Sequence, residues 1–189
     1  MATLQLTHAP TLMSSAQLLI LPVNTAGVLL DPVLTKSKTL FPDNYQRYYR
    51  ACRDGSLNVG SCMLHKRALE QAGLGISSNG NQPSYIANLV ISDHPYHPAR
   101  MRWLTEALTD FQQQLIPLIR YQGIRRIALL ARPLIHNNAR NNDPETRSSV
   151  HSLPLDWDAD ILPLLIEKLQ DLPKLHIDVH VPRNINIAT

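Results

Sequence analysis

The chain has 189 residues, of which 44% are hydrophobic and 17% charged. That is enough for one domain with a sizeable core, and it excludes a disordered or fibrous protein. Eighteen Lys and Arg against fifteen Asp and Glu leave a net charge of +3; without a dense basic run, this permits a phosphate-bearing partner but does not require one. The two cysteines, Cys52 and Cys62, form no CxxC or Cys/His cluster. They read as free thiols in a reducing compartment, with no zinc or other metal frame. The longest apolar run, Leu18–Val23, is too short to span a bilayer, and no signal pattern opens the chain, so a cytoplasmic location is expected.

Taken in chain order, Leu4–Thr7 reads as a short edge strand. Gln17–Val23 reads as a strand buried on both faces, because its apolar run is continuous. Asp31-Pro32 predicts a helix start, with Asp as cap and Pro at the first position. A second helix is expected after Pro42, capped by Asp43 and stopped by Gly55, with Tyr45, Tyr48, Tyr49 and Cys52 at helical spacing. Asn58–His65 and Tyr85–Ile91 read as strands around a Gly-, Ser- and Asn-rich turn at Gln71–Gln82.

The clearest helix is Pro98–Tyr121, whose stripe comprises Leu104, Leu108, Phe111, Leu115, Leu118 and Ile119. Pro117 should bend or shorten it. Arg126–Ala131 is a predicted strand, Asp158–Leu172 a helix and Leu175–Val181 a last strand. Strands alternating with helices argue an α/β fold with a mixed, mainly parallel sheet. From Pro133 to Pro154 there is no period. A structureless stretch of about twenty residues is uncommon in a compact domain and is usually functional or disordered.

Several side-chain groups invite a chemical reading beside a structural one. Asp93 with His94 or His97 suits an acid/base pair, or else a polar turn before a helix with Ser92 or Asp93 as cap. Asp156 is either a catalytic carboxylate or a helix cap. The tyrosines at 45, 48 and 49, interleaved with Arg47, Arg50 and Arg53, suit nucleic acid or ordinary packing with a basic outer face. Trp103 and Trp157 read as core, and His65-Lys66-Arg67 as a solvated strand end. The chain has no GxGxxG, P-loop, HExxH or GxSxG.

Two segments carry a resemblance. The first runs Val23-Asn24-Thr25-Ala26-Gly27-Val28, through Phe41-Pro42-Asp43-Asn44-Tyr45, to Ala51-Cys52-Arg53-Asp54-Gly55 and Val59-Gly60-Ser61. The second is Leu155-Asp156-Trp157 leading into Ile161–Leu169. Together they resemble the macro domain family, in the branch of DarG-like and terminal ADP-ribose glycohydrolases. The resemblance implies a three-layer α/β/α fold over a single domain, residues 1–189, and ADP-ribose held at the carboxyl ends of the central strands. It assigns Asn24, Thr25 and Gly27 to the ligand.

Elsewhere the chain departs from the family pattern. Ala9-Pro10 stands where relatives carry a Gly-Asp pair for adenine, and Leu29-Leu30-Asp31-Pro32 where they carry a glycine-rich turn. Asp93 stands where hydrolases of this branch place a lysine. After Leu130-Ala131-Arg132-Pro133 no glycine occurs before the C-terminus, so the diphosphate loop is missing. Arg132, Asn137, Asn138, Arg140, Arg147 and Ser148 are its candidate replacements, since guanidinium groups grip phosphates in pairs of hydrogen bonds.

Losing the adenine acceptor costs roughly 1–3 kcal/mol, and each lost N–H-to-phosphate contact roughly 1.5–3 kcal/mol. The sum rivals the roughly 8 kcal/mol of a micromolar affinity. The expected function is therefore a diverged, non-catalytic module that binds ADP-ribose or a related nucleotide in a rebuilt pocket, with no cofactor. The alternatives are a hydrolase removing ADP-ribose from DNA or protein through Asp93, His94 or Asp156, and a pseudo-macro scaffold for a protein partner. In the scaffold, Leu29, Leu30 and Pro10 fill the cleft. Nucleic acid is a further, weaker partner reading, and a membrane is not expected.

Overall fold

The computed structural model describes residues 1–68, 82–135 and 154–187. The turn predicted from Gln71, except Gln82, and most of the 133–154 segment lie outside them. Among the described residues, β1 (Thr3–Thr7), β2 (Leu18–Asn24), β3 (Cys62–Lys66), β4 (Tyr85–Ser92), β5 (Arg126–Leu130) and β6 (His176–His180) form one sheet ordered β1-β6-β5-β2-β4-β3. All neighbours run parallel except β3, which runs antiparallel to β4. The helices are α1 (Pro32–Leu40), α2 (Pro42–Asp54), α3 (Met101–Tyr121) and α4 (Leu162–Leu169).

The three layers follow from period-two burial in strands covered on both faces. In β2, Leu18 and Ile20 join the core under α3 and α4, whereas Leu19, Leu21 and Val23 join the core under α1 and α2. In β4 the same division sends Ala87, Leu89 and Ile91 one way and Ile86 and Val90 the other. The polar exception, Asn88, is buried and meets buried Asn44 of α2 in a reciprocal amide pair at 2.8 and 3.2 Å. This pair fixes α2 over the central sheet.

Helix α1 is capped as predicted: the Asp31 carboxylate accepts from the N–H groups of Val33 (2.8 Å) and Leu34 (3.4 Å). Helix α2 ends at Gly55 in the left-handed region (φ 73°), but Asp43 is not its cap. Instead Asp43 lies inside the helix and pairs with His65 (2.9 Å) and Arg67 (3.4 Å) on the edge strand, so those two residues are largely covered rather than solvated. Strand β3 starts at Cys62, later than predicted. Its first residue is clamped by α3: the Cys62 N–H donates to Asp110 (2.7 Å) and Gln114 donates to the Cys62 carbonyl (2.8 Å).

Pro117 neither stops nor shortens α3, which runs on to Tyr121. The carbonyl it deprives of a partner belongs to Gln113, which is exposed, so the cost of losing that hydrogen bond is small. The last predicted helix divides into a π turn, Trp157–Ile161, followed by α4, which ends at Leu169. Trp157 is core, whereas Trp103 is only half-buried, with Arg100 4.4 Å over its ring. Among the described residues, no helix is long and apolar enough to cross a membrane.

Candidate functional site

Strand β2 pairs with β5 only as far as Ile20, while its ladder with β4 continues to Asn24 through a register shift at Val23/Asn24. Pro22 lies in this stretch, beyond the β5 ladder, so its missing N–H costs nothing on that side. Strands that part at their carboxyl ends leave a crevice where open α/β sheets place ligands. Here the crevice is a cleft of about 130 Å³, lined by the ends of β2 and β4, the 28–31 turn, His94, His97 and Pro133.

The 24–28 turn forms one wall. Asn24 Nδ2 donates to the Val28 carbonyl (2.8 Å) and its Oδ1 accepts the Ala26 N–H (3.0 Å), so much of the amide is spent on the turn itself. Thr25 ties the turn to β4, its N–H donating to the Ser92 carbonyl (3.0 Å) and its hydroxyl facing the Asp93 carbonyl (3.4 Å). Gly27 adopts φ 76°, and a Cβ there would lie 3.2 Å from the Tyr49 ring. The glycine thus admits α2 against the turn. From α2, the buried Tyr48 hydroxyl donates to the Asn24 carbonyl at 2.6 Å; burial pushes this phenol well above its ordinary range.

The opposite wall is the Ser92–His97 turn. Ser92 does not cap α3, whose preceding residue Arg100 makes no side-chain cap. Its hydroxyl instead donates to the His94 carbonyl (2.8 Å) and accepts the His94 N–H (3.2 Å), closing the turn on itself. His97 Nδ1 faces Asp93 Oδ1 at 3.2 Å. The hydrogen bond from His97 holds the Asp93 carboxyl below its usual value. His94 Nδ1 accepts the Tyr96 N–H (3.2 Å), and the two imidazole rings are 4.7 Å apart. A carboxylate can only accept, so His97 donates through Nδ1, and in the neutral ring Nε2 is then the acceptor. His94, accepting through Nδ1, carries its proton on Nε2 and is a donor.

The third wall explains the loss of the glycine turn. At a helix N-terminus, free N–H groups attract an anion. Here the Asp31 carboxylate occupies that place itself, and Arg132 pairs with it at 3.2 Å. Leu29 is half-buried and Leu30 half exposed; both line the cleft without closing it, and Pro10 is exposed and outside its lining. The carbonyl of Ala9 is taken by buried His180, whose Nδ1 lies 2.8 Å away and whose Nε2 has no partner.

Of the residues singled out in the sequence, Asn24, His94 and His97 line this cleft and Arg132 borders it through Asp31; Thr25 and Asp93, joined by the Thr25 hydroxyl and the Asp93 carbonyl, and Gly27, which faces Tyr49, lie outside its lining. Asp156 is elsewhere engaged: it accepts the Ala159 N–H (2.7 Å) and caps the turn before α4. Asn137, Asn138, Arg140, Arg147 and Ser148 lie outside the described residues. His97 and Asp31 were undervalued in the sequence, because each matters only through a partner brought near by folding. Among the described residues, no three His, Cys, Asp or Glu side chains converge to hold a metal.

No family model matches the chain. Over 107 residues it is 36% identical to a DNA ADP-ribosyl glycohydrolase of Thermus aquaticus. That match covers 57% of this chain and 26% of the relative, so the chain corresponds to about a quarter of the longer protein. Among solved structures, the macrodomain of Thermus aquaticus DarG superposes with a TM-score of 0.71 at 27% identity, covering 96% of this chain and 99% of that one. The macrodomain of Mycobacterium tuberculosis DarG reaches 0.68 at 20% identity, over 96% and 99%. Thermosipho africanus DarTG, solved in complex with ADP-ribose, also reaches 0.68 at 20% identity, over 98% of this chain and 43% of that one. The last two speak for the fold alone.

Proposed function

As this chain is a macro domain of the DarG-like branch, we propose that it binds ADP-ribose, or a closely related nucleotide, in the cleft at the ends of β2 and β4, without cleaving it. One observation carries the reading: the Asn24–Val28 turn is intact and forms a cleft wall, although the other ligand elements of the family are replaced. A cleft of about 130 Å³ is below the roughly 300 Å³ at which pockets for drug-sized molecules begin. It suits a ribose, with the remainder of the nucleotide lying outside it. Asn24, Thr25 and Gly27 shape the ribose wall and His94 Nε2 donates to a hydroxyl. Arg132, with Asn137, Asn138 and Arg140, meets the diphosphate. Asp93 in place of lysine removes the positive charge from the glycosidic end and favours retention of the ligand.

Calorimetric titration with ADP-ribose tests this. Micromolar binding is expected, weakened about tenfold by His94→Ala and by Arg132→Glu. Absence of heat with the folded protein would sink the reading.

The proton arrangement of Asp93, His97 and His94 favours a second reading, hydrolysis, in which His97 Nε2 takes a proton from the attacking water and passes it to the leaving group, while His94 Nε2–H donates a hydrogen bond to that group. Release of ADP-ribose from modified DNA or protein, abolished by His97→Ala, would decide for it over simple binding.

A further inference from the structure

The carboxylate of Asp31 does more than a helix cap requires. Its Oδ1 accepts both capping N–H groups, Val33 at 2.8 Å and Leu34 at 3.4 Å. Asn or Ser would cap α1 as well, without a charge. Its Oδ2 takes no part in the cap and meets Arg132 Nε at 3.2 Å. Arg132 is half exposed, so this pair adds little to stability. The Asp31 side chain, by contrast, is only 11% exposed, and it lines the cleft. A charge is thus held in a largely buried place where a neutral cap would serve the helix equally well.

The rest of the lining shows what such a carboxylate can recognise. Among the described residues that line the cleft, none is Lys or Arg. Asn24 Nδ2 already donates to the Val28 carbonyl, and the Ser92 hydroxyl to the His94 carbonyl. His94 Nε2–H remains as a donor on the opposite wall, with His97 Nε2 as an acceptor beside it. A carboxylate has about four lone-pair positions. Val33, Leu34 and Arg132 engage three of those on Asp31, which leaves one on Oδ2. Acceptors therefore outnumber donors around the cleft. That suits neighbouring sugar hydroxyls, which bring their own protons, and not a phosphate, which brings none.

We propose that Asp31 sets the specificity of the cleft: its Oδ2 accepts a hydrogen bond from a hydroxyl of the terminal ribose, and its charge turns away a ribose that carries a phosphate there. The ligand class is then a nucleotide sugar with an unmodified terminal diol. The inference rests on the reading of the cleft as an ADP-ribose site, and names what that site selects. Arg132 plays the complementary part. Its Nε tempers the Asp31 charge, while the other nitrogens of the guanidinium stay available to the diphosphate. A phosphate seated on the start of α1 itself would need the N–H groups that Asp31 already holds.

The test is calorimetric titration with two probes, ADP-ribose and its terminal cyclic phosphate, in which one phosphodiester replaces two neighbouring hydroxyls of that ribose. The wild type should bind ADP-ribose at least about tenfold more tightly than the cyclic phosphate, because the latter exchanges donors for an anion facing a carboxylate. Asp31→Asn keeps the cap and the size but not the charge, and should bring the two affinities within about threefold of each other. Arg132→Gln should weaken both probes and widen their ratio, since Asp31 then lacks its counter-charge. A purely structural role for Asp31 would weaken both probes alike and leave the ratio unmoved. An unmoved ratio in Asp31→Asn, or equal affinities in the wild type, would overturn the inference while ADP-ribose binding kept the cleft reading. If the wild type is silent toward both probes and Asp31→Asn gains the cyclic phosphate, the ADP-ribose reading falls and the exclusion by Asp31 stands. Silence of both proteins would remove both.

Discussion

Gly27 shows how much one residue can decide. Its left-handed backbone costs an L-residue about 1–2 kcal/mol, and a Cβ would also press on Tyr49 at 3.2 Å and Cys52 at 3.4 Å. Gly27→Ala is therefore expected to lower unfolding stability by about 2 kcal/mol, read as a shift in the urea midpoint, and to weaken ADP-ribose binding by moving the turn. Unaltered stability would mean that α2 yields without strain. Tyr48→Phe tests the same junction from the helix side. It removes the hydroxyl that satisfies the Asn24 carbonyl (2.6 Å) in a buried setting, a loss of about 1–3 kcal/mol.

At the scale of elements, polar pairs set the docking of α2. Asn44 and Asn88 satisfy each other inside the core, and Asn88 also donates to the Met63 carbonyl at 3.1 Å. Asn88→Leu alone strands the Asn44 amide and is expected to cost about 1–3 kcal/mol. The double change with Asn44→Leu should cost less than the sum of the two single changes, because neither amide is then left facing a missing partner and only the Met63 carbonyl loses a donor. A double-mutant cycle in urea measures this; simple additivity would mean that the pair is not coupled. The α1 cap behaves differently. Asp31 serves the helix, Arg132 and the cleft wall at once, so one carboxylate replaces the anion that a bare helix end would attract.

At the scale of the whole molecule, the sheet edge is fastened to α2 by charge. Partial burial raises the Asp43 carboxyl, but the hydrogen bonds and charges of His65 and Arg67 outweigh it and leave the group below its ordinary 3.8. A depressed folded-state value means that the unfolded chain binds the proton more readily. The stabilisation is complete above the ordinary value and is lost as pH falls through the depressed one. Wild type and Asp43→Asn should therefore differ in urea midpoint by a constant amount from about pH 7 to about pH 5, and converge below about pH 4. A difference that grows on acidification would contradict this. Asp93 is shifted in the same direction by His97, but on an exposed turn where solvent screens the pair.

Much of the architecture was legible in the residues alone. Continuous apolar runs gave β2 and β4, Asp31-Pro32 gave the start of α1, and Gly55 the end of α2, because each is a local preference written within a few positions. The Asn24–Val28 motif likewise marked the place of the cleft. What folding decided were the partnerships between residues distant in sequence: Asp43 with His65 and Arg67, Asn44 with Asn88, Asp31 with Arg132. Each member reads locally as a cap, a turn former or a solvated charge, and its role changes only when another element arrives within about 3 Å, the range of a hydrogen bond. The three tyrosines of α2 make the same point. Their spacing placed them on one helix, but only the packing of that helix buried Tyr48 and left Tyr45 and Tyr49 stacked at the surface.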